Sequence, residues 1–191
     1  MHELLSFLHS IQPLSPALQD HLISIVREKQ IKKKDFLLRA GHISRYLSFV
    51  KSGLLRCFYF RDDNEICSWF VQEGEISLSS ESFFRQRESY ESIQALEDST
   101  LYCIEYKDLE YVYSQFPEFN KVMRLLLESY FIREVQQLYG LRRRQAAERY
   151  QWLLQHYRHF VLRVPAKYLA SWLGISEVML SRIKSQQHLL K

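Results

Sequence analysis

The sequence predicts an α+β protein: an antiparallel β domain flanked by helices, then one long helix, then an all-α C-terminal domain. Between Asp35 and about Tyr106, short runs rich in β-branched and aromatic residues alternate with turns at Gly41, Gly53, Asp62-Asp63-Asn64, Gly74 and Glu97-Asp98-Ser99. That cadence belongs to a sandwich or barrel. From Glu118 to about Tyr139 the pattern is helical, and beyond Gly140 the composition turns basic. Residues 141–191 hold ten Arg and Lys against Glu148 and Glu177, a net of +8, which leaves −4 for residues 1–140 of a chain at +4 overall. Two parts of opposite charge meet different partners, and the basic one suits a polyanion.

With 191 residues, 47% hydrophobic and 25% charged, the chain has the composition of a folded globular protein. No apolar run approaches the roughly 20 residues of a membrane helix, and Met1-His2-Glu3-Leu4-Leu5 lacks the basic flank of a signal peptide. A cytoplasmic protein with no membrane partner is the expectation. Cys57, Cys67 and Cys103 are odd in number and far apart, which argues for three buried strand thiols and against a disulfide framework, a zinc site or an iron–sulfur cluster.

Taken in order, residues 3–29 read as helical, with Ser15-Pro16 as a cap followed by proline in the first turn. Lys32-Lys33-Lys34 is a solvated turn. The candidate strands are "DFLLRAG", "YLSFVKSG", "LLRCFYF", "EICSWFVQEG", "YESIQAL" and "TLYCIEY". Alternation within "LLRCFYF" puts Leu55, Cys57 and Tyr59 on one face and Arg56, Phe58 and Phe60 on the other. A short helix over 107–113 breaks at Phe116-Pro117. The helix after it spans about 33 Å, and its apolar positions cover too wide an arc for a one-sided surface helix. Such a helix is buried on more than one side, against its own domain and against a second copy. Val122, Leu125, Ile132 and Tyr139 are the candidate dimer contacts, the last three falling seven apart. Gly140 closes this helix, and "QAAERYQWLLQHYR" forms the next, with Ala146, Tyr150, Leu153 and Leu154 inward.

The most informative stretch is "VPAKYLASWLGISEVMLSRIKSQ", residues 164–186. Pro165 suits a first turn, and Leu169, Ala170 and Leu173 line the inner face of a helix. Counting from Ala166, a small residue stands fifth (Ala170), glycine ninth (Gly174), and apolar residues fifteenth and eighteenth (Leu180, Ile183). Ala170 is small where a second helix crosses close above it. Gly174 accepts a positive φ, Ser176 caps the second helix, and Met179, Leu180 and Ile183 fill the space between the two. This is helix-turn-helix spacing, although an ordinary αα-hairpin shares it. In a helix-turn-helix the second helix enters the major groove of double-stranded DNA. The candidate DNA-binding residues are Lys167, Ser176, Glu177, Val178, Ser181, Arg182 and Lys184. Arg182 is the base reader, since guanidinium grips guanine bidentately. Lys167 and Lys184 are placed for phosphate.

This order of parts resembles the Crp/Fnr family of bacterial transcription regulators. The resemblance spans essentially the whole chain and rests on Gly41, "FVKSGLLR" with Gly53, Gly74-Glu75, "ALEDSTLYCIEYKDLE", "AAERY", and "VPAKYLASWLGIS" with "LSRIK". It implies a cyclic-nucleotide-binding-like jelly roll over 1–117, a dimerisation helix over 118–140 and a helix-turn-helix domain over 141–191. It also implies a homodimer on a pseudo-palindromic site.

By the same resemblance, the effector pocket falls at Glu75, Ser79, Ser89, Tyr90 and Glu91. Cyclic-nucleotide sensors of the family place a ribose-binding Glu and a phosphate-gripping Arg-Ser/Thr-Ala there. This chain has Ser79 for the first and Ser89-Tyr90-Glu91 for the second. A cyclic phosphate would lose its cation and face Glu91, so cAMP is disfavoured; Arg85 or Arg87 is the substitute at hand. The effector, where there is one, is a small molecule of other chemistry. No cofactor or metal is expected, His156 and His159 being the one histidine pair near ligand spacing and read as surface residues. The chain ends seven residues after Lys184, too soon for the β-wing that often follows a recognition helix. A DNA-binding regulator is therefore expected. The alternative is a ligand-binding or protein-interaction module whose helix-turn-helix is structural. An enzyme is not expected: there is no G-x-S-x-G, no Gly-rich phosphate loop and no histidine–carboxylate metal set.

Overall fold

Ser15 sets the start of the fold in the way its sequence suggests. In the computed structural model, which describes residues 1–188, its Oγ accepts from the Leu18 amide at 3.2 Å and donates to Glu118 Oε1. Pro16 then opens α2 (Pro16–Ile25), preceded by α1 (His2–Ile11). The expected helical stretch 3–29 is thus two helices, and its end is wrong. Arg27–Ile31 forms a strand, β1, because its backbone pairs antiparallel with a strand some seventy residues later.

The remaining strands are β2 (Phe36–Leu38), β3 (Tyr46–Ser52), β4 (Leu54–Arg61), β5 (Asn64–Gln72), β6 (Ile76–Ser77), β7 (Glu91–Ala95) and β8 (Ser99–Glu105). They form two four-stranded sheets, in the orders β1-β8-β3-β6 and β2-β7-β4-β5. The two sheets share one core, in which Val50, Leu101 and Cys103 of the first meet Leu55, Cys57, Ile93 and Ala95 of the second. Leu55 and Cys57 share the core-facing side of β4, as the alternation puts them on one face, while Arg56 and Phe58 on the other face are buried as well. On β3 both faces are buried, since Phe49 packs against Phe7 of α1 at 5.2 Å while Val50 points into the core. All three cysteines are buried thiols outside any disulfide, each on a strand.

The chain divides into two compact units. One comprises Met1–Tyr59 and Trp69–Glu128; the other comprises Phe60–Ser68 and the chain from Ser129 onward. The first holds α3 (Ser80–Arg85), α4 (Tyr106–Gln115) and the start of α5 (Pro117–Leu141). The second holds the rest of α5 with α6 (Ala146–His156), α7 (Arg158–Arg163), α8 (Ala166–Leu173) and α9 (Glu177–His188). Within it Trp152, Tyr157, Phe160 and Trp172 form an aromatic centre with ring spacings of 5.4–6.1 Å. Gly140 does not close α5 but lies inside it. A Cβ there would fall 2.1 Å from Trp152, so glycine is required by close packing, not by a turn. No helix among the described residues is long and apolar enough to cross a membrane.

Candidate functional site

Helices α8 and α9 are joined where the spacing demands it. Gly174 ends α8 with φ 64°, and its amide bonds back to the Ser171 carbonyl at 3.0 Å. Ser176 Oγ accepts from the Met179 amide at 3.2 Å, opening α9. Leu169, Ala170 and Leu173 of α8 and Leu180 and Ile183 of α9 are buried. Each large apolar side chain among them contributes about 1.5–3 kcal/mol, enough to hold the pair as a unit. Met179, expected on the inner face, is instead 39% exposed, because the buried arc of α9 is centred on Leu180 and Ile183.

The candidate DNA-contacting residues share the outer side of this pair. Lys167, Ser176, Glu177, Val178, Ser181 and Arg182 are exposed, and Lys184 is half-buried. Val178 and Arg182 stand four apart on α9 and so lie on one face. Lys167 Nζ rests 4.6 Å from the Tyr168 ring. Among the described residues no ion pair occupies Lys167, Arg182 or Lys184, and Arg182 makes none with Glu177. The segment where a β-wing would follow, residues 189–191, lies outside the described residues.

One basic residue counted toward the +8 segment has a different task. Arg149 Nε donates to the Leu173 carbonyl at 2.8 Å, and its Nη1 donates to the Arg143 carbonyl at 2.9 Å. A cation on the last carbonyl of α8 satisfies a group that has no helical partner. Ser171 is a second such residue. Its hydroxyl accepts from the Cys67 amide and donates to the Glu65 carbonyl, each at 3.0 Å, tying the start of β5 to α8 within the second unit. Neither role leaves a local sequence signal.

Along α5, Val122 is completely buried in its own unit. It offers nothing to a second copy, and its assignment to an interface is withdrawn. Leu125 is half-buried, while Ile132 and Tyr139 are 57% and 71% exposed. Phe131 (70%) and Leu138 (46%) add to the exposed apolar side. Neither was singled out by the seven-residue repeat, since neither falls on it.

In the first unit, Ser79 and Ser89 are buried with their hydroxyls 3.0 Å apart. Ser89 Oγ also donates to the Glu91 carbonyl at 2.9 Å and accepts from its amide at 3.1 Å. Tyr90 points outward, 62% exposed, with its ring edge on Tyr59; partial burial still holds its phenol above the usual range. Glu75 lies in the preceding turn, where its carboxylate accepts from the Gln72 amide at 3.1 Å. Arg85 and Arg87 both pair with Glu81, so neither is turned toward the Ser79–Ser89 pair. A cavity lies in the first unit, lined by other residues. Its volume is about 380 Å³, and Leu38, Arg39, His42, Arg45, Ser77 and Ile93 help to line it. None of the five expected pocket residues does.

Residues 28–116 match the family model of the cyclic nucleotide-binding domain. No curated protein sequence matches the chain. Among solved structures, it is similar to FixK2 from Bradyrhizobium japonicum, at 18% identity and TM-score 0.72, over 87% of this chain and 86% of that one. It is similar to CLP, the c-di-GMP-responsive global regulator of Xanthomonas campestris, at 14% identity and TM-score 0.70, over 92% of each chain. A putative transcriptional regulator of the crp/fnr family from Eubacterium rectale matches at 18% identity and TM-score 0.70, over 92% and 84%. At these identities the likeness is one of fold. The chain therefore resembles the cyclic nucleotide-binding domain over residues 28–116 and shares the fold of these solved structures over most of its length.

Proposed function

We propose that this protein is a DNA-binding transcription regulator of the Crp/Fnr type. In this reading the eight strands are a jelly-roll effector domain, α5 pairs two copies, and α8 and α9 are a helix-turn-helix with α9 as its recognition helix. It acts as a homodimer on a two-fold-symmetric double-stranded site and carries out no catalysis. The observation that carries this is the outer surface of α9. Leu180 and Ile183 are buried beneath it, while Glu177, Val178, Ser181 and Arg182 stand exposed in its first two turns, where side chains reach base edges.

The effector domain departs from a cyclic-nucleotide sensor. The positions that would hold ribose and phosphate carry two hydroxyls bonded to each other and a glutamate, and the nearest arginines are engaged with Glu81. A phosphate there would have no cation and would face Glu91, which disfavours cAMP as its effector.

Selection from a randomised duplex pool, read by fluorescence anisotropy at two salt concentrations with and without cAMP, tests the reading. The expected outcome is an enriched palindromic site whose binding weakens steeply with salt and ignores cAMP. A chain that enriches no sequence at either salt would overturn it and leave α8–α9 a structural hairpin.

A further inference from the structure

The cavity in the first unit has the features of a separate binding site. Its volume, about 380 Å³, lies within the roughly 300–1,000 Å³ of small-molecule sites. Its buried end is apolar at Leu38 and Ile93 and polar at Ser48 and Ser77, which stand opposite each other in the β3–β6 pairing. Its exposed end carries Lys29, Arg39, His42 and Arg45. Among the described residues that line it there is no Asp or Glu.

Two further observations point to a ligand. The first is that the three cations Lys29, Arg39 and Arg45 have no counter-charge: among the described residues neither they nor His42 is in an ion pair, and the Arg39 guanidinium rests on the Phe36 ring, 3.6 Å from its centre. The second is Ser77. The residue is 1% exposed, and its Oγ has no hydrogen-bond partner among the described residues. A buried hydroxyl left unpaired costs stability. Its neighbour Ser48, by contrast, is 3.4 Å from Cys103 Sγ.

The lining loop, residues 39–45, is also held in place. The Gly41 amide donates to the Ser89 carbonyl at 2.7 Å, the Ser89 amide to the His42 carbonyl at 2.9 Å, and the Tyr106 amide to the Arg45 carbonyl at 2.9 Å. A site fixed before binding loses less entropy on ligand capture.

We propose that this cavity binds a small organic anion. Its carboxylate or phosphate lies among Lys29, Arg39, His42 and Arg45, its apolar body on Leu38, Ile93 and Phe36, and a hydrogen-bonding group at its inner end meets Ser77. The site is separate from the Ser79–Ser89–Glu91 group, which lines no part of it. It does not depend on DNA binding: a chain that selects no DNA yet binds an anion here would sink the regulator reading alone.

The test is a titration of the full ¹⁵N-labelled chain with 4-hydroxybenzoate and phenyl phosphate, against uncharged 4-hydroxybenzamide. Saturable shifts are expected for amides in 36–45 and 77–78 with both anions, and much weaker ones with the amide analogue. Arg39→Gln combined with Arg45→Gln, both exposed and so harmless to folding, should weaken the anions about tenfold or more. Ser77→Ala should bring 4-hydroxybenzoate down to the affinity of benzoate while raising the Tm of the unliganded protein. The proposal is overturned if the uncharged analogue binds equally, if the double variant keeps its affinity, or if no anion binds. It is equally overturned if the shifts fall at 79, 89 and 91.

Discussion

Gly53 shows what a single residue decides. It turns β3 into β4 with φ 105°, and a Cβ there would meet Ser99 Oγ at 2.1 Å and the Ser99 backbone at 2.7 Å. Gly53→Ala should therefore lose about 2–4 kcal/mol of stability from strain and overpacking together, read from urea unfolding. Gly41→Ala, with the same sign of φ but open space around it, should lose only about 1–2 kcal/mol; equal losses would show that the Ser99 contact relaxes. Tyr113 gives the fold a pH dependence. Burial pushes its phenol up to about 12, whereas an unfolded tyrosine ionises near about 10. The unfolded chain thus releases its proton first, so this contribution is whole below about pH 10 and is lost as pH climbs toward the folded value. Tyr113→Phe should flatten the alkaline limb of a stability–pH curve; an unchanged limb would assign it to another group. On α9, Arg182→Ala should cost about 1–3 kcal/mol of DNA affinity and relax base preference at one position per half-site. Equal weakening on cognate and scrambled duplexes would argue against base readout.

At the scale of elements, helix α5 carries the largest consequence. Its wide apolar arc is visible in the sequence, but which part meets its own unit and which faces outward is not. The structure buries Val122 and Leu126 and leaves Phe131, Ile132 and Tyr139 exposed. Phe131→Asp should therefore yield monomers in sedimentation velocity, since it places a charge in the proposed contact, and should leave thermal stability of the separated copy intact. A variant that sediments as a dimer would move the interface off this face. The missed elements have equally definite causes. Strand β1, "REKQI", is polar and mostly exposed because it is an edge strand, so no alternation marks it. Strand β6 is two residues long, shorter than any pattern can register. Helix α7 follows α6 after one residue, Tyr157, so the two read as one run.

Across the whole molecule, the division of charge bears on the proposed binding of DNA. The basic segment is not wholly available, however, since Arg149 is occupied with the Leu173 carbonyl of α8 and the Arg143 carbonyl of the loop before α6. Counterion release should still give a steep salt dependence, and Lys167→Ala should reduce the log–log slope by about one while weakening all sequences alike. A slope unchanged by Lys167→Ala would place the phosphate contacts elsewhere.

Most of the strand run, the three buried thiols and the turn between α8 and α9 could be read from residue order alone. Alternation, glycine at positive φ and a serine cap act between neighbours a few positions apart, so they leave their mark in short windows. The α8–α9 surface was legible for the same reason, down to the buried Leu180 and Ile183. Tertiary structure decided the rest. It set the pairing of Arg27–Ile31 with β8, the helical place of Gly140 under Trp152, the inward Val122, and the outward Met179. It also decided the cavity of Arg39, Arg45 and Ser77, which draws on β1, β2, β3, β6 and β7. These depend on partners tens of residues away, and contacts of that range are made by packing, which no local pattern encodes.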